Sequence, residues 1–459
     1  MRKLITALAD MSSFLKDVIE KPREIFKYGI AAILIVIPLY PKFPFLRIPG
    51  TYVSIRIEDF LIFLLAILFI IFFIKNISSS LKNRLELSIL VFILIGFVSL
   101  LSAILVTKTV VPGIAVLHWL RRIEYFVPML IGILYFKHYG LEDLEFFIKV
   151  LMITVVVAFF YGFGQMHFSW PVIITQNNEY AKGIALRWIA GSQLNSTFAG
   201  HYDLATFLVF VLPIFISLYF VVKGLWSKVS LATVILSGLW LLANTASRIS
   251  IVSYLLASVI SLLLIKKYKA VILTVAVSIM IFSLTGGVID RYTQVISVYY
   301  QKIVSKFMVK AAHREVLPTP VPVFEDRSTS IRLNVEWPRA LRAFKKNPLL
   351  GTGYSSITLA TDNDFLRLLG EVGILGFLSF LLIFSNIFHL AKKIISKLSN
   401  LSGVELAFIV SFIGGIVGVF VNALFIDIFE ASKFAIIFFL ITGLFVSLVR
   451  NKLYKQSLK

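Results

Sequence analysis

The chain has 459 residues, 59% of them hydrophobic and 15% charged, with a mean hydropathy of +0.92 and a formal net charge of +21. This composition excludes a soluble domain and fits a polytopic helical membrane protein; at about 20 apolar residues per span, the length allows roughly a dozen helices. The positive charge then reads as topology and headgroup attraction instead of nucleic-acid binding, and the absence of cysteine excludes disulfides, thiolate metal sites and cysteine nucleophiles.

The expected fold is all-α, with a cytoplasmic N-terminal segment over 1–27 and one transmembrane domain over 28–459. The first 27 residues alternate apolar and charged positions and show no cleavable signal peptide. They fit an amphipathic helix on the membrane surface and equally a solvated basic tail. Twelve spans are expected, at 28–40, 59–74, 87–106, 123–136, 145–163, 204–222, 229–243, 249–264, 270–285, 374–390, 404–422 and 434–449. The first and fourth are short. With the N-terminus cytoplasmic, the inside segments other than 137–144 are basic, as in KNISSSLKNR, AKKIISK and RNKLYKQSLK. The positive-inside rule therefore supports both the count and the direction, with both termini cytoplasmic.

The two faces differ in kind of cation. Inside loops are mostly lysine. The short outside loops hold Arg47, Arg56, Arg121, Arg122, Arg187 and Arg248. The long outside loop, about 286–372, adds Arg291, Arg314, Arg327, Arg332, Arg339, Arg342 and Arg367. Arginine is the planar, two-pronged donor that grips phosphate and carboxylate, so this face is expected to meet an anionic ligand. Chance and loop solvation account for about half of these residues on the plainer account.

Along the outside segments, Asp59 and Glu58 are placed to pair with Arg56. Arg121 and Arg122 are neighbours about 100° apart on a helix, so one is expected to reach into the bundle while the other snorkels to the surface. His118 fits an interfacial belt better than catalysis. His201 and Asp203 read as local caps of the next span. Arg248 is the one charge in the turn ANTASRIS, and a lone arginine there needs a partner that a bound phosphate would supply. Residues 291–310 read as an interfacial helix, and VLPTPVPVFED as an extended connector.

The long polar passage from Arg327 to Gly376 closes the loop. Residues 331–346 read as an amphipathic helix with Pro338 near a start or kink. In NPLLGTG, Gly351 and Gly353 shape a tight turn, since no lysine follows in phosphate-loop register. Asp362, Asn363 and Asp364 stand at the start of the next helix, where capping explains one of the two aspartates. The other is left for chemistry.

The set Ser247-Arg248, Arg332-x4-Trp337, NPLLGTG and DN-x-FL-x-LLGEVGILG resembles the O-antigen polymerase and O-antigen ligase superfamily. GFGQ (Gly162 to Gln165) and STFAGHYDLA extend the likeness over most of 120–385. In the ligase branch the position of Asp362 is usually histidine, so the aspartate favours a polymerase. The resemblance implies a metal-independent, cofactor-free glycosyltransferase on the outer face of the cytoplasmic membrane. Its donor and acceptor would be polyprenyl-pyrophosphate-linked oligosaccharides among membrane lipids. A chain-length regulator or a flippase would be further protein partners, and nucleic acid none. Arg248 and Arg332 would steady the leaving pyrophosphate, with Arg121, Arg122, Arg339 and Arg187 as further substrate contacts. Asp362 would be the general base, with Asp364 and Glu371 behind it, and Asp427 and Glu430 would close the cavity. The rivals are a ligase acting on a lipid or protein acceptor and a lipid-linked sugar flippase. A flippase should carry polar residues at mid-membrane in two related halves, which this chain lacks.

Overall fold

The computed structural model describes residues 21–41, 45–47, 54–80, 82–172, 186–284, 330–358, 360–401 and 403–457. Most of the N-terminal segment, the helix expected at 291–310, the proline-rich connector, and Arg291, Arg314 and Arg327 lie outside the described residues.

Among the described residues there are 13 α-helices. In chain order they are α1 Pro22–Leu39, α2 Ile57–Ser80, α3 Arg84–Ser102, α4 Pro112–Tyr139, α5 Leu144–His167, α6 His201–Val221 and α7 Leu225–Asn244. They continue as α8 Arg248–Leu264, α9 Tyr268–Leu284, α10 Trp337–Lys346, α11 Asp364–Ile395, α12 Gly403–Ala423 and α13 Ser432–Ser457. Each expected span falls on one helix, and α10 is the expected amphipathic helix. Among the described residues eight helices are long and apolar enough to cross a membrane; α8 and α9 are apolar but shorter. Two antiparallel pairings of two residues each, Leu46–Arg47 with Ser54–Ile55 and Pro171–Val172 with Leu186–Arg187, tie the loops at one end.

The helices at the first and fourth expected spans, α1 and α4, are longer than hydropathy indicated. α4 runs 28 residues, because its charges are paired within the protein instead of ending the helix. Arg121 bonds Asp59 at 2.8 Å and lies 3.0 Å from Glu124. Arg122 reaches the Phe429 carbonyl at 2.8 Å and pairs with Glu430. Neither arginine snorkels: both turn inward, to different neighbours. α1 likewise starts early, since Arg23 and Lys27 find Asp143 at 3.1 and 2.8 Å.

Burial sorts the helices by depth. The apolar stretch of α13 is buried throughout and that of α6 nearly so, whereas α2 and α3 leave most of theirs facing outward. α13 packs along α4, α12 lies against α8 and α6, and α11 runs beside α3. Lipid offers no hydrophobic drive between helices, so close approach depends on small residues. Gly414 and Gly418 of α12 do this: a Cβ on either would overlap the α8 backbone at Ala257 and Ser253. A buried network crosses the same seam, with Asn422 Nδ2 donating to Thr206 at 3.0 Å and to Ser250 at 3.1 Å.

Candidate functional site

One end of the bundle gathers the starts of α6, α8, α11 and α13, the turn after α12, and the turn into α10. Its centre is Asp362, Asn363 and Asp364, at the start of α11. The helix cap is Asn363, not an aspartate: its Oδ1 accepts the Leu366 N–H at 2.9 Å. Asp364 also turns away from solvent. Its carboxylate is 7% exposed and accepts the Ile428 and Phe429 N–H groups at 2.8 and 3.2 Å. Its role is to hold the turn after α12. Asp362 alone of the three pairs with an arginine side chain from another element.

Asp362 has φ +49°, a left-handed conformation that is uncommon for a residue with a side chain, though Asp and Asn tolerate it best. Neighbours enforce it. The Asp427 carboxylate accepts the Thr361 N–H at 2.7 Å and the Asn363 N–H at 3.1 Å, clamping the amides on either side. Strained backbone held by its surroundings is a mark of functional positions. The strain aims the Asp362 side chain at Arg332, whose Nε and Nη2 both donate to Oδ2, at 3.0 and 2.7 Å. Burial raises the proton affinity of Asp362, and Arg332 opposes that shift.

Arg332 opens a π-helical turn, Arg332–Glu336, that runs into α10. Pro338 lies just inside α10; it has no N–H and its ring clashes with the carbonyl four residues back, so the turn widens. The Trp337 N–H then reaches the Arg332 carbonyl. The wider turn leaves Arg332 and Glu336 on one face, and the Tyr202 hydroxyl lies against the same guanidinium. Tyr202 links Arg332 to the start of α8, which carries Arg248. Its carbonyl accepts the Thr206 hydroxyl at 2.9 Å, Thr206 accepts from Asn422, and Asn422 donates to Ser250, two residues from Arg248. The turn before Arg248 is itself fixed, with Ala246 at φ +52° and Ser247 bonded to Ser250 at 2.8 Å.

A second set of charges lies behind Asp427. Arg367 donates to Asp427 at 3.1 Å and lies 3.6 Å from Glu371 and 3.5 Å from Glu430. Arg122 joins through Glu430. Glu371 is 3% exposed. Of the residues expected to bind substrate, Arg121, Arg122, Asp364 and Glu371 are thus held in ion pairs or backbone bonds inside the protein. Arg187 is exposed and bonded to the Ser169 carbonyl. Arg339 differs: it follows Arg332 by seven residues on the same element, and its Nη1 is buried with no partner.

The NPLLGTG turn proves to be half of an interlocking device. α11 breaks at Gly373, where φ is +67°. The break leaves carbonyls before it and N–H groups after it without helical partners. The turn fills both sets. Thr352 and Gly353 donate to the Gly370 and Glu371 carbonyls at 3.0 and 2.7 Å, while Ile374 and Leu375 donate to the Pro348 and Leu349 carbonyls at 2.9 and 3.2 Å. Ser99 of α3 adds its hydroxyl to Leu350 and Glu371. Gly351 and Gly353 have φ +70° and +90°, as a tight turn requires. Gly351→Ala should therefore lower the unfolding temperature in detergent, by the left-handed cost of about 1–2 kcal/mol and by overlap with the Glu371 backbone. Gly140→Ala is the control: φ is +82° there with open space around it, so only the first cost applies. Equal shifts in the two variants would rule out the interlock.

Sequence reasoning missed the position of Glu336. It is half-buried, its Oε2 is buried with no hydrogen-bond partner among the described residues, and burial beside Asp362 raises its proton affinity to about 7. Glu336 sits in an amphipathic segment where a glutamate reads as a solvated face. Only its spacing of four from Arg332 hinted otherwise.

A family model described as O-antigen ligase matches residues 231–381, about a third of the chain, and supports the O-antigen ligase and polymerase superfamily. That range includes Arg248, Arg332, Glu336, Asp362 and the interlocked turn, and it ends inside α11. No curated protein matches the chain.

Proposed function

We propose, from the chain's place in the O-antigen ligase and polymerase superfamily, that this multi-pass membrane protein is a glycosyltransferase polymerising polyprenyl-pyrophosphate-linked oligosaccharides. The reaction runs on the outer face of the cytoplasmic membrane, where the arginine-rich loops gather. The observation that carries this reading is the Arg332–Asp362 pair, held by a strained backbone and clamped by Asp427. A cation fixed this firmly stabilises charge as it develops on a leaving pyrophosphate without reorganising. Asp362 is assigned to hold that guanidinium, because its Oδ2 already takes two N–H bonds. Arg248 and Arg339 supply further positive charge for the donor.

Aspartate at 362, where the ligase branch usually carries histidine, favours polymerase over ligase. A ligase moving glycan to a lipid or protein acceptor is the second reading, supported by the description of the matched family. Surface glycan from cells lacking the chain separates these readings. Loss of polymer with single repeat units retained marks a polymerase, and lipid-linked polymer left untransferred marks a ligase. Repeat units trapped on the inner face would mark a flippase and overturn the proposal. Within the polymerase reading, Arg248→Ala should shorten or abolish the polymer while the protein still inserts. Polymer of normal length in that variant would remove Arg248 from the site.

A further inference from the structure

The geometry assigns to Glu336, not Asp362, the role of general base that takes the proton from the acceptor sugar hydroxyl. This assignment rests on the proposed transferase reading.

Three carboxylates, Glu336, Asp362 and Asp427, lie close enough to act on one another, and two are committed. Asp427 accepts two backbone N–H groups and the Arg367 guanidinium. Asp362 accepts both inward N–H groups of Arg332. Protonating either would loosen the frame that holds Arg332. Glu336 has no such duty. It rises one turn beyond Arg332 on the widened π-helical turn, and its Oε2 is buried without a donor. A buried, unsatisfied oxygen is costly unless something supplies a proton to it, and a hydroxyl donor would do so. The charged groups facing Glu336 are Arg332 and Arg339 from its own element, Asp362 from the start of α11 and Asp427 from the turn after α12. Burial and the nearby Asp362 outweigh the two arginines and place its titration at about 7. That is the range where a base is deprotonated at neutral pH yet binds a proton well.

The surroundings suit a sugar. Trp337 Nε1, Arg339 Nη1 and Thr361 Oγ1 are buried without hydrogen-bond partners, like Glu336 Oε2. They belong to the two segments that also carry Arg332 and Asp362. Donors and an acceptor left open on these segments are groups that ring hydroxyls and phosphate oxygens can satisfy.

The step balances as follows. The acceptor hydroxyl oxygen bonds to the donor's anomeric carbon, and its proton passes to Glu336 Oε2. The bond from that carbon to the pyrophosphate oxygen breaks, with the electron pair leaving on the pyrophosphate beside Arg332. Glu336 then gives its proton to solvent.

The test uses the full chain in lipid nanodiscs, with lipid-linked oligosaccharide extracted from cells that lack it. Wild-type transfer should rise with pH through about 7, as the carboxylate forms. Glu336→Gln should lose about 10²–10⁴-fold in rate and lose the rise, and Glu336→Asp should be slower but keep it. Asp362→Asn should be slower with the rise retained. Unfolding temperatures matching wild type make these readings specific to chemistry. A Glu336→Gln protein with wild-type rate or with the same pH profile overturns the assignment, as does loss of the rise in Asp362→Asn alone. An inert wild-type protein overturns the transferase reading itself, and the assignment with it.

Discussion

Replacing Arg332 by alanine should lower glycan transfer by about 10²–10³-fold, the loss that follows removal of one fixed donor to a developing negative charge. Arg332 is largely buried, with 13% of its side chain exposed, so its charge acts in a poorly screened setting. Its position is over-determined. Asp362 grips it, Asp427 clamps the Asp362 backbone, and the π-helical turn sets its height. Arg332→Lys should recover only part of the activity. Lysine restores the charge but not the planar fork that bonds Oδ2 through two nitrogens. The readout is the length distribution of surface glycan, with the amount of inserted protein measured alongside. Polymer of normal length made by normally inserted Arg332→Ala protein would remove Arg332 from the mechanism. Near-complete recovery by lysine would mean that charge alone matters there.

The largest expected effect on stability is at Lys433. This lysine opens α13 and is 1% exposed. Its Nζ donates to the carbonyls of Pro38, Tyr40 and Thr197 at 3.1, 2.7 and 2.8 Å, and it lies 5.3 Å over the Phe198 ring. One ammonium thus ties the end of α1 to the loop before α6 and to the start of α13. Lys433→Met keeps much of the volume but leaves three carbonyls unmatched. Hydrogen bonds to a charged group contribute roughly 1.5–3 kcal/mol each, so the loss should be on the order of 3 kcal/mol or more. Thermal unfolding in detergent measures it, and an unchanged unfolding temperature would refute the role.

What the sequence disclosed follows from how each signal is coded. Spans are coded by runs of apolar residues, which need no knowledge of neighbours, so the expected spans fall on helices among the described residues, eight of which are long and apolar enough to cross a membrane. Their ends were misjudged where charges occur. The start of α4 looked like a loop because Arg121, Arg122 and Glu124 are polar in sequence. In the fold Asp59 and Glu430 neutralise the two arginines, and the helix continues through them. Within the fold, Arg121 and Arg122 satisfy protein carboxylates.

The polar passage from Arg327 onward divides the same way. The sequence by itself determined that a polar, arginine-rich segment meets the start of an apolar helix, and that glycines shape the turn between. Composition and motif spacing carry that much. Only the tertiary structure decided what each charge does. Asn363 caps α11, Asp364 holds the turn after α12, and Asp362 is turned toward Arg332 by a left-handed backbone that Asp427 enforces from 65 residues away. Glu336 became visible only when the widened turn set it beside that pair, with its oxygen buried and unmatched. The physical reason is that a carboxylate's role depends on which donors reach it. Those donors come from segments far apart in the chain, which no local pattern records.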